Sequence, residues 1–176
     1  YLTEKKEKKK FTYGGKIENY GLDETDEKIL KVLSTNARIT ILEMMDKLNL
    51  TRDVINYRLK KLKKDKIIVQ YRCYLNLHNL GINHYKIIFR TKNFNEQVEK
   101  LIKDYVEKHK KATQFLKLIG SWDLEIEFET ESEDELYKIL TEIRKKFSNI
   151  IRDFDILRIT ETYKYDYFPF EGGDST

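Results

Sequence analysis

The chain is poor in the residues that punctuate and cross-link folds. It has one proline and seven glycines in 176 residues. That scarcity argues against a loop-rich fold and against collagen. No glycine-rich loop of the kind that cradles phosphates is present. Cys73 is the single cysteine, which excludes an internal disulfide framework and any zinc site built on several cysteines. It falls in a stretch that reads as a strand, with no catalytic His and Asp pattern around it, and so reads as a packing residue. His78, His84 and His109 stand far apart and lack metal-ligand spacing. No metal, no cofactor and no catalytic residue is therefore expected. No apolar run approaches the roughly 18 residues of a membrane helix, and there is no signal-peptide core. The expectation is a cytoplasmic protein with no membrane partner.

Charge is abundant but uneven. The formal net charge is +4. Residues 1–21 hold six lysines against three glutamates, and residues 22–80 hold twelve basic against eight acidic residues. Residues 81–176 reverse the sign, with sixteen basic against nineteen acidic. A basic front and a mildly acidic back suggest that the front meets a polyanion. Residues 1–21, with the run Lys8-Lys9-Lys10 and with Gly14-Gly15, read as a basic linker. The end of the chain echoes them faintly. Leu2-Thr3-Glu4 before Phe11, Gly14 and Gly15 resembles Ile159-Thr160-Glu161 before Phe170, Gly172 and Gly173. The first residues therefore also read as the tail of a preceding, related copy.

From Leu22 the apolar period is helical. Leu22, Ile29, Leu30 and Leu33 recur at three-to-four spacing, and Asp23, Glu24, Asp26 and Glu27 crowd the first turn, where the helix dipole favours acids. A second, short helix opens on the capping box Thr40-Ile41-Leu42-Glu43, with a stripe of Ile41, Leu42, Met45 and Leu48. After the turn Asn49-Leu50, Thr51 is a good N-cap for a third helix that turns Ile55, Leu59 and Leu62 inward. Ile67-Ile68-Val69 then predicts a strand through Tyr71, Cys73 and Leu75. Helix, short helix, tight turn, helix and strand over residues 22–75 is the order of a winged helix-turn-helix.

Beyond Asn79 and Gly81 the period becomes two, with Tyr85, Ile87 and Phe89 alternating with Lys86, Ile88 and Arg90. A helix follows, carrying Phe94, Val98, Leu101, Ile102 and Tyr105 on one side. A strand over Phe115–Ile119 leads through Gly120-Ser121 to Leu124-Glu125-Ile126-Glu127-Phe128-Glu129, whose strict alternation predicts one buried and one wet face. A second helix shows Leu136, Leu140, Ile143 and Phe147. A last strand holds Ile150, Ile151, Phe154, Ile156 and Ile159. The order strand-helix-strand-strand-helix-strand over residues 82–170 is the ferredoxin-like plan. The fold class is thus α+β, a winged helix-turn-helix followed by a ferredoxin-like βαββαβ domain. The uncovered sheet face, with Glu125, Glu127 and Glu129, predicts pairing with a second copy. The aromatic tail, with Tyr163, Tyr165 and Tyr167 on one strand face, predicts docking on a partner subunit.

The third helix is the candidate reader of nucleic acid. Opposite Ile55, Leu59 and Leu62 lie Asp53, Asn56, Tyr57, Lys60 and Lys64, a stripe that starts at the helix N-terminus. Arg52 and Asn56 are donors suited to guanine and adenine edges. Seven basic and two acidic residues stand between Arg52 and Lys66, enough to neutralise phosphates and fix register. The expected DNA contacts are Thr51, Arg52, Asp53, Asn56, Tyr57, Lys60, Lys61 and Lys64. A merely solvated helix face is the alternative. Arg58, at the edge of the inward stripe, either joins the contacts or pairs with Asp26 or Glu27.

With these parts in this order, the chain resembles the Lrp/AsnC family of prokaryotic transcription regulators over about residues 22–160. The resemblance rests on Leu22-Asp23-x-x-Asp26-x-x-Ile29-Leu30, Asn36-Ala37-Arg38-Ile39, Leu50-Thr51-Arg52 leading to Tyr57-Arg58-Leu59-Lys60-Lys61-Leu62, and Ile119-Gly120-Ser121-Trp122-Asp123-Leu124. It implies a regulator that binds double-stranded DNA and assembles as a homodimer or larger ring. It also implies that the Gly120-Ser121-Trp122-Asp123 turn contacts a small effector such as an amino acid. The alternative for that turn is that Gly120 permits the hairpin and Asp123 satisfies turn amides. The chain departs from the family at Asp53 and Val54, where small hydroxyl residues are common, and at Lys66, where glycine is common. Two rival functions follow. Sirohaem decarboxylases are enzymes that resemble the family in both domains, but Lys110-Lys111-Ala112-Thr113-Gln114-Phe115 lacks their His-Asn-Tyr-x-Arg-like stretch. A non-DNA-binding assembly partner of related regulators is the other, and the basic third helix argues against it.

Overall fold

Helix starts here are set by side-chain caps. In the computed structural model, which describes Gly14 and residues 20–168, α1 (Glu24–Thr35) begins where the Asp23 carboxylate accepts the Asp26 N–H at 2.9 Å. Helix α2 (Ile41–Leu48) closes the full capping box: Glu43 N–H donates to Thr40 Oγ1 at 3.2 Å, and Thr40 N–H donates to Glu43 Oε2 at 2.7 Å. Asn49, at φ 51°, ends α2 in the left-handed region that asparagine tolerates. Helix α3 (Arg52–Lys64) starts from Thr51, whose hydroxyl accepts from Val54 N at 3.5 Å. It ends in a Schellman motif, with Lys66 N bonded to Lys63 O and Ile67 N bonded to Leu62 O. The left-handed position of that motif is Lys66, at φ 58°.

The chain divides into two compact units, one of residues up to Arg72 and from Asp166 onward, the other Cys73–Tyr165. In the first, Ile29, Val32, Met44, Ile55 and Leu62 form the buried centre, ringed by half-buried Leu22, Leu30, Leu33, Met45 and Leu59. Two expectations are corrected in α2: Met44 is buried, whereas Leu42 is 67% exposed. Tyr20 packs on this centre and donates its hydroxyl to Asp65 Oδ2 at 2.7 Å. The strand expected over Ile67–Leu75 does not form. A strand requires a ladder partner, and this segment pairs with none of the described strands. Cys73 is accordingly exposed and packs no core.

In the second unit, β1 (Asn83–Thr91), β2 (Ala112–Lys117), β3 (Leu124–Thr130) and β4 (Ile151–Ile159) make one antiparallel sheet in the order β2-β3-β1-β4. Helices α4 (Glu96–Lys108) and α5 (Glu133–Phe147) cover one face. Tyr85, Ile87 and Phe89 of β1 and Leu124, Ile126 and Phe128 of β3 meet Ile102, Tyr105, Ile139, Ile143 and Phe147 there. This is the ferredoxin-like arrangement. The opposite face is less wet than the alternation predicts, since Glu125 and Glu127 are each 9% exposed. Cross-strand register sets Lys86 opposite Glu127, with His84 and Ile88 to either side. Lys86 Nζ reaches Glu125 at 2.7 Å and Glu127 at 2.8 Å, and His84 Nε2 meets Glu127 at 3.0 Å. Burial alone would raise the Glu127 pKa, but the hydrogen bonds from His84 and Lys86 outweigh it and hold the value down at about 2.

No strand carries the tyrosine tail: residues 160–168 are irregular, with Tyr163 92% exposed. Outside the described residues lie most of the segment 1–21, including the lysine run and its echo with the chain end, and also Pro169, Phe170 and Glu171. Among the described residues, no helix is long and apolar enough to cross a membrane.

Candidate nucleic-acid interface

Helix α3 has two chemically distinct faces. Ile55 and Leu62 are fully buried, and Leu59 is half-buried beside them. Around the rest of the helix Arg52, Asp53, Asn56, Tyr57, Lys60 and Lys64 are exposed, with Tyr57 at 65%. The N-cap Thr51 is exposed at the same end. A guanidinium, a carboxamide, a phenol and two ammonium groups thus project from one helix whose other side anchors it in a core. That is the layout of a groove reader: donors for base edges near the N-terminus and cations for phosphates further along.

Seven of the eight residues expected from sequence share this exposed surface. The eighth, Lys61, is half-buried, and its Nζ lies 5.4 Å from the centre of the Tyr20 ring. Lys63 similarly rests over Tyr71 at 5.2 Å. Arg58 faces α1: its Nη1 donates to Asp23 and lies 3.3 Å from Asp26 Oδ1. Asp26 is 1% exposed. The two readings of Arg58 therefore resolve in favour of the ion pair, with Asp23 as the partner in addition to Asp26. The Asp26 backbone N–H, and after it Arg58, holds the Asp23 carboxyl below its ordinary pKa. Lys66, counted among the seven basic residues but not among the expected contacts, is exposed beyond α3.

The second candidate site is the turn between β2 and β3. Gly120 has φ 144°, a region closed to most side chains, and a Cβ there would meet nothing within 4 Å. Asp123 is tied into the sheet end. Its Oδ2 accepts from Thr91 N at 2.6 Å and from Thr91 Oγ1 at 2.8 Å. Its backbone N–H donates to Phe89 O at 2.9 Å, and its carbonyl accepts from Leu118 N at 2.8 Å. Arg90 donates from Nε to Ser121 O at 2.9 Å and stacks its guanidinium 4.8 Å from the Trp122 ring centre. Gly120, Ser121, Trp122 and Asp123 are thus one connected turn, with one carboxylate oxygen committed to Thr91. Arg90 and Thr91 are part of it and were missed from sequence, although the alternation of β1 puts Arg90 beside Phe89 at that strand end. Among the described residues no three His, Cys, Asp or Glu side chains gather as a metal site.

Known proteins are similar to this chain in sequence and in fold. The family model for winged helix-turn-helix DNA-binding domains matches residues 22–69. The HTH-type transcriptional regulator PF0054 of Pyrococcus furiosus, itself uncharacterized, is 30% identical over 146 residues, which cover 81% of this chain and 94% of that protein. Among solved structures, the transcriptional regulator NMB0573 of Neisseria meningitidis, in complex with L-Met, superposes with a TM-score of 0.74 at 20% identity, covering 86% of this chain and 98% of that one. AsnC of E. coli superposes with a TM-score of 0.68 at 21% identity, covering 83% and 97%. A helix-turn-helix matched by a DNA-binding domain model, a ferredoxin-like second unit and a regulator of this similarity over nearly its whole length lead to one assignment: the chain belongs to the Lrp/AsnC family of DNA-binding transcription regulators.

Proposed function

We propose that α3 enters the major groove of duplex DNA. Arg52 and Asn56 would read base edges. Thr51, Tyr57, Lys60 and Lys64 would fix the helix on the backbone, and Asp53 would select against some sequences by its charge or accept from a cytosine amine. The observation that carries this is the continuous exposed polar stripe opposite buried Ile55 and Leu62. Lys61 is left out because its ammonium rests over Tyr20. The second unit would assemble the chain into a homodimer or larger oligomer. It would also respond to a small effector, such as an amino acid, at Gly120-Ser121-Trp122-Asp123. The L-Met complex of the structurally similar Neisseria meningitidis regulator supports an amino acid. Regulation would then run through binding rather than catalysis, as the regulator names of the relatives support.

Selection of bound duplexes from random DNA, followed by gel shifts, tests the reading. Arg52→Ala or Asn56→Ala should each cost about 1–3 kcal/mol on the selected site and relax its specificity. Lys64→Ala should weaken all sequences alike and flatten the salt dependence. Unchanged binding in all three variants refutes α3 as the reader. Titration of Trp122 fluorescence with the twenty amino acids tests the effector turn, and Asp123→Ala should abolish any response.

A further inference from the structure

Helix α3 carries two exposed side chains that the packing of the first unit does not explain. Val54 is 38% exposed and Tyr57 65%. Among the described residues, neither joins the apolar cluster around Ile29, Ile55 and Leu62. A β-branched valine also makes a poorer helix than alanine or leucine. The Val54 side chain therefore stabilises neither the core nor the helix that carries it. Its backbone N–H is the one capped by Thr51, at 3.5 Å. That places it in the first turn of α3, at the end that enters a major groove. Helical side chains lean towards the N-terminus, so the valine methyls lean the same way.

The exposed arc of α3 has two unlike flanks. At about 100° per residue, Arg52, Asp53 and Val54 spread across that arc, with Asp53 at its middle. Arg52 and Asn56, four residues apart, share one flank. Val54 lies on the other, and Tyr57, three residues on, stands between it and Asp53. Residues at this spacing are neighbours on a helix surface. Arg58, the other neighbour one turn on, is committed to Asp23 and Asp26. One flank is thus made of hydrogen-bond donors and the other of carbon.

The major-groove edge of an A·T pair is divided in the same way. Adenine offers N7 and the N6 amine on one side, which suit a carboxamide, and thymine offers O4 and the C5 methyl group on the other. Cytosine offers an amine there and no methyl. We propose that Val54, walled by the Tyr57 ring, reads the C5 methyl group of thymine. The methyl leaves water against the valine methyls and the ring edge, an apolar contact that no other standard DNA base offers. Tyr57 keeps its hydroxyl for the backbone. Asn56 takes an adenine and Val54 a thymine, so the two flanks together distinguish A·T from T·A. The inference rests on α3 as the groove reader and adds to it a specificity residue with neither charge nor hydrogen bond.

Uracil in place of thymine removes the C5 methyl and nothing else. Gel shifts at one fixed salt concentration compare the selected duplex with versions in which each thymine is replaced by uracil in turn. The native chain should lose about fourfold in affinity at a thymine under α3, the worth of one buried methyl group, and should be indifferent to replacements elsewhere. Val54→Ala should bind the thymine and uracil duplexes alike at that position, with the salt dependence of the native chain. Alanine is the better helix former, so urea unfolding should find the variant no less stable, and its loss of discrimination is then no folding defect. Equal binding of thymine and uracil at every position overturns the proposal. So does a discrimination that survives in Val54→Ala, or a selected site with no preferred thymine. Failure of α3 as the reader looks different: Arg52→Ala and Asn56→Ala would then leave binding unchanged, and this proposal would fall with it.

Discussion

Replacing Arg58 by methionine keeps most of the apolar stem and removes one charge. Its consequence follows from Asp26, whose carboxylate is 1% exposed and whose Oδ2 has no hydrogen-bond partner among the described residues. Arg58 Nη1, at 3.3 Å from Oδ1, is the counter-ion of that group. Removing one partner of a buried pair costs about 3–5 kcal/mol, because the remaining charge is left uncompensated. Two features reduce the figure. Arg58 keeps 23% side-chain exposure, so some solvent already screens the pair. Asp26 also lies in the first turn of α1, where the dipole returns about 0.3–1 kcal/mol. The expected loss is about 2–3 kcal/mol, or roughly 10–20 °C in the melting of a unit this small. Urea unfolding followed by far-ultraviolet circular dichroism measures it on the helical unit. Adding Asp26→Asn to Arg58→Met should recover part of the loss, since the stranded charge is then gone. A loss below about 0.5 kcal/mol, or a double variant no more stable than the single, refutes the assignment of Arg58 to α1.

Lys66→Gly should stabilise the first unit by about 0.5–1 kcal/mol, because φ 58° at Lys66 strains a side-chain-bearing residue and suits glycine; a lower melting temperature would contradict the Schellman end of α3. Gly120→Ala should cost about 1–3 kcal/mol through backbone strain at φ 144°, with no steric part because the space is open, and thermal melting of the second unit reads it. Glu127 has a folded pKa of about 2 against an ordinary 4.5. Its contribution is whole above pH 4.5 and is lost as pH falls towards 2, so an acid titration of stability should steepen in that window and Glu127→Gln should flatten it. Tyr20→Phe removes the 2.7 Å hydrogen bond to Asp65 and should lower the midpoint of the same urea assay; an unchanged midpoint would show that this bond does not tie Tyr20 to the folded unit.

Elements whose identity is local were legible in the sequence. The Thr40–Glu43 box and the Thr51 cap fix where α2 and α3 begin, and the alternation of Tyr85, Ile87 and Phe89 fixes the buried face of β1. What needed a second element was not. The Ile67–Leu75 stretch has strand-like composition, but a strand exists only with a pairing partner. In the same way, the period of Tyr163, Tyr165 and Tyr167 did not make a strand. Leu42 and Met44 differ by two positions on one short helix, and periodicity over eight residues does not settle which of them points inward. Asp26 was read as a dipole acid, and its burial depends on Arg58, thirty-two residues away. At the Gly120 turn the sequence named the turn residues themselves, whereas Thr91 and Arg90, which hold the turn, enter from the end of another strand.

The ion pair of Arg58 also changes how DNA affinity should depend on salt. Of the seven basic residues between Arg52 and Lys66, Arg58 is neutralised by Asp23 and Asp26, and half-buried Lys61 rests over the Tyr20 ring. Arg52, Lys60, Lys63, Lys64 and Lys66 remain exposed. Each phosphate neutralised by such a cation releases condensed counterions, with a slope of about −0.9 in log K against log salt. Five cations would give a slope of about −4.5 per bound helix, so raising salt from about 50 to 200 mM would weaken each helix roughly 500-fold. Seven would have given a loss of roughly 6,000-fold over the same range. If α3 is the reader, it would keep a larger share of its affinity at high ionic strength than its count of basic residues suggests.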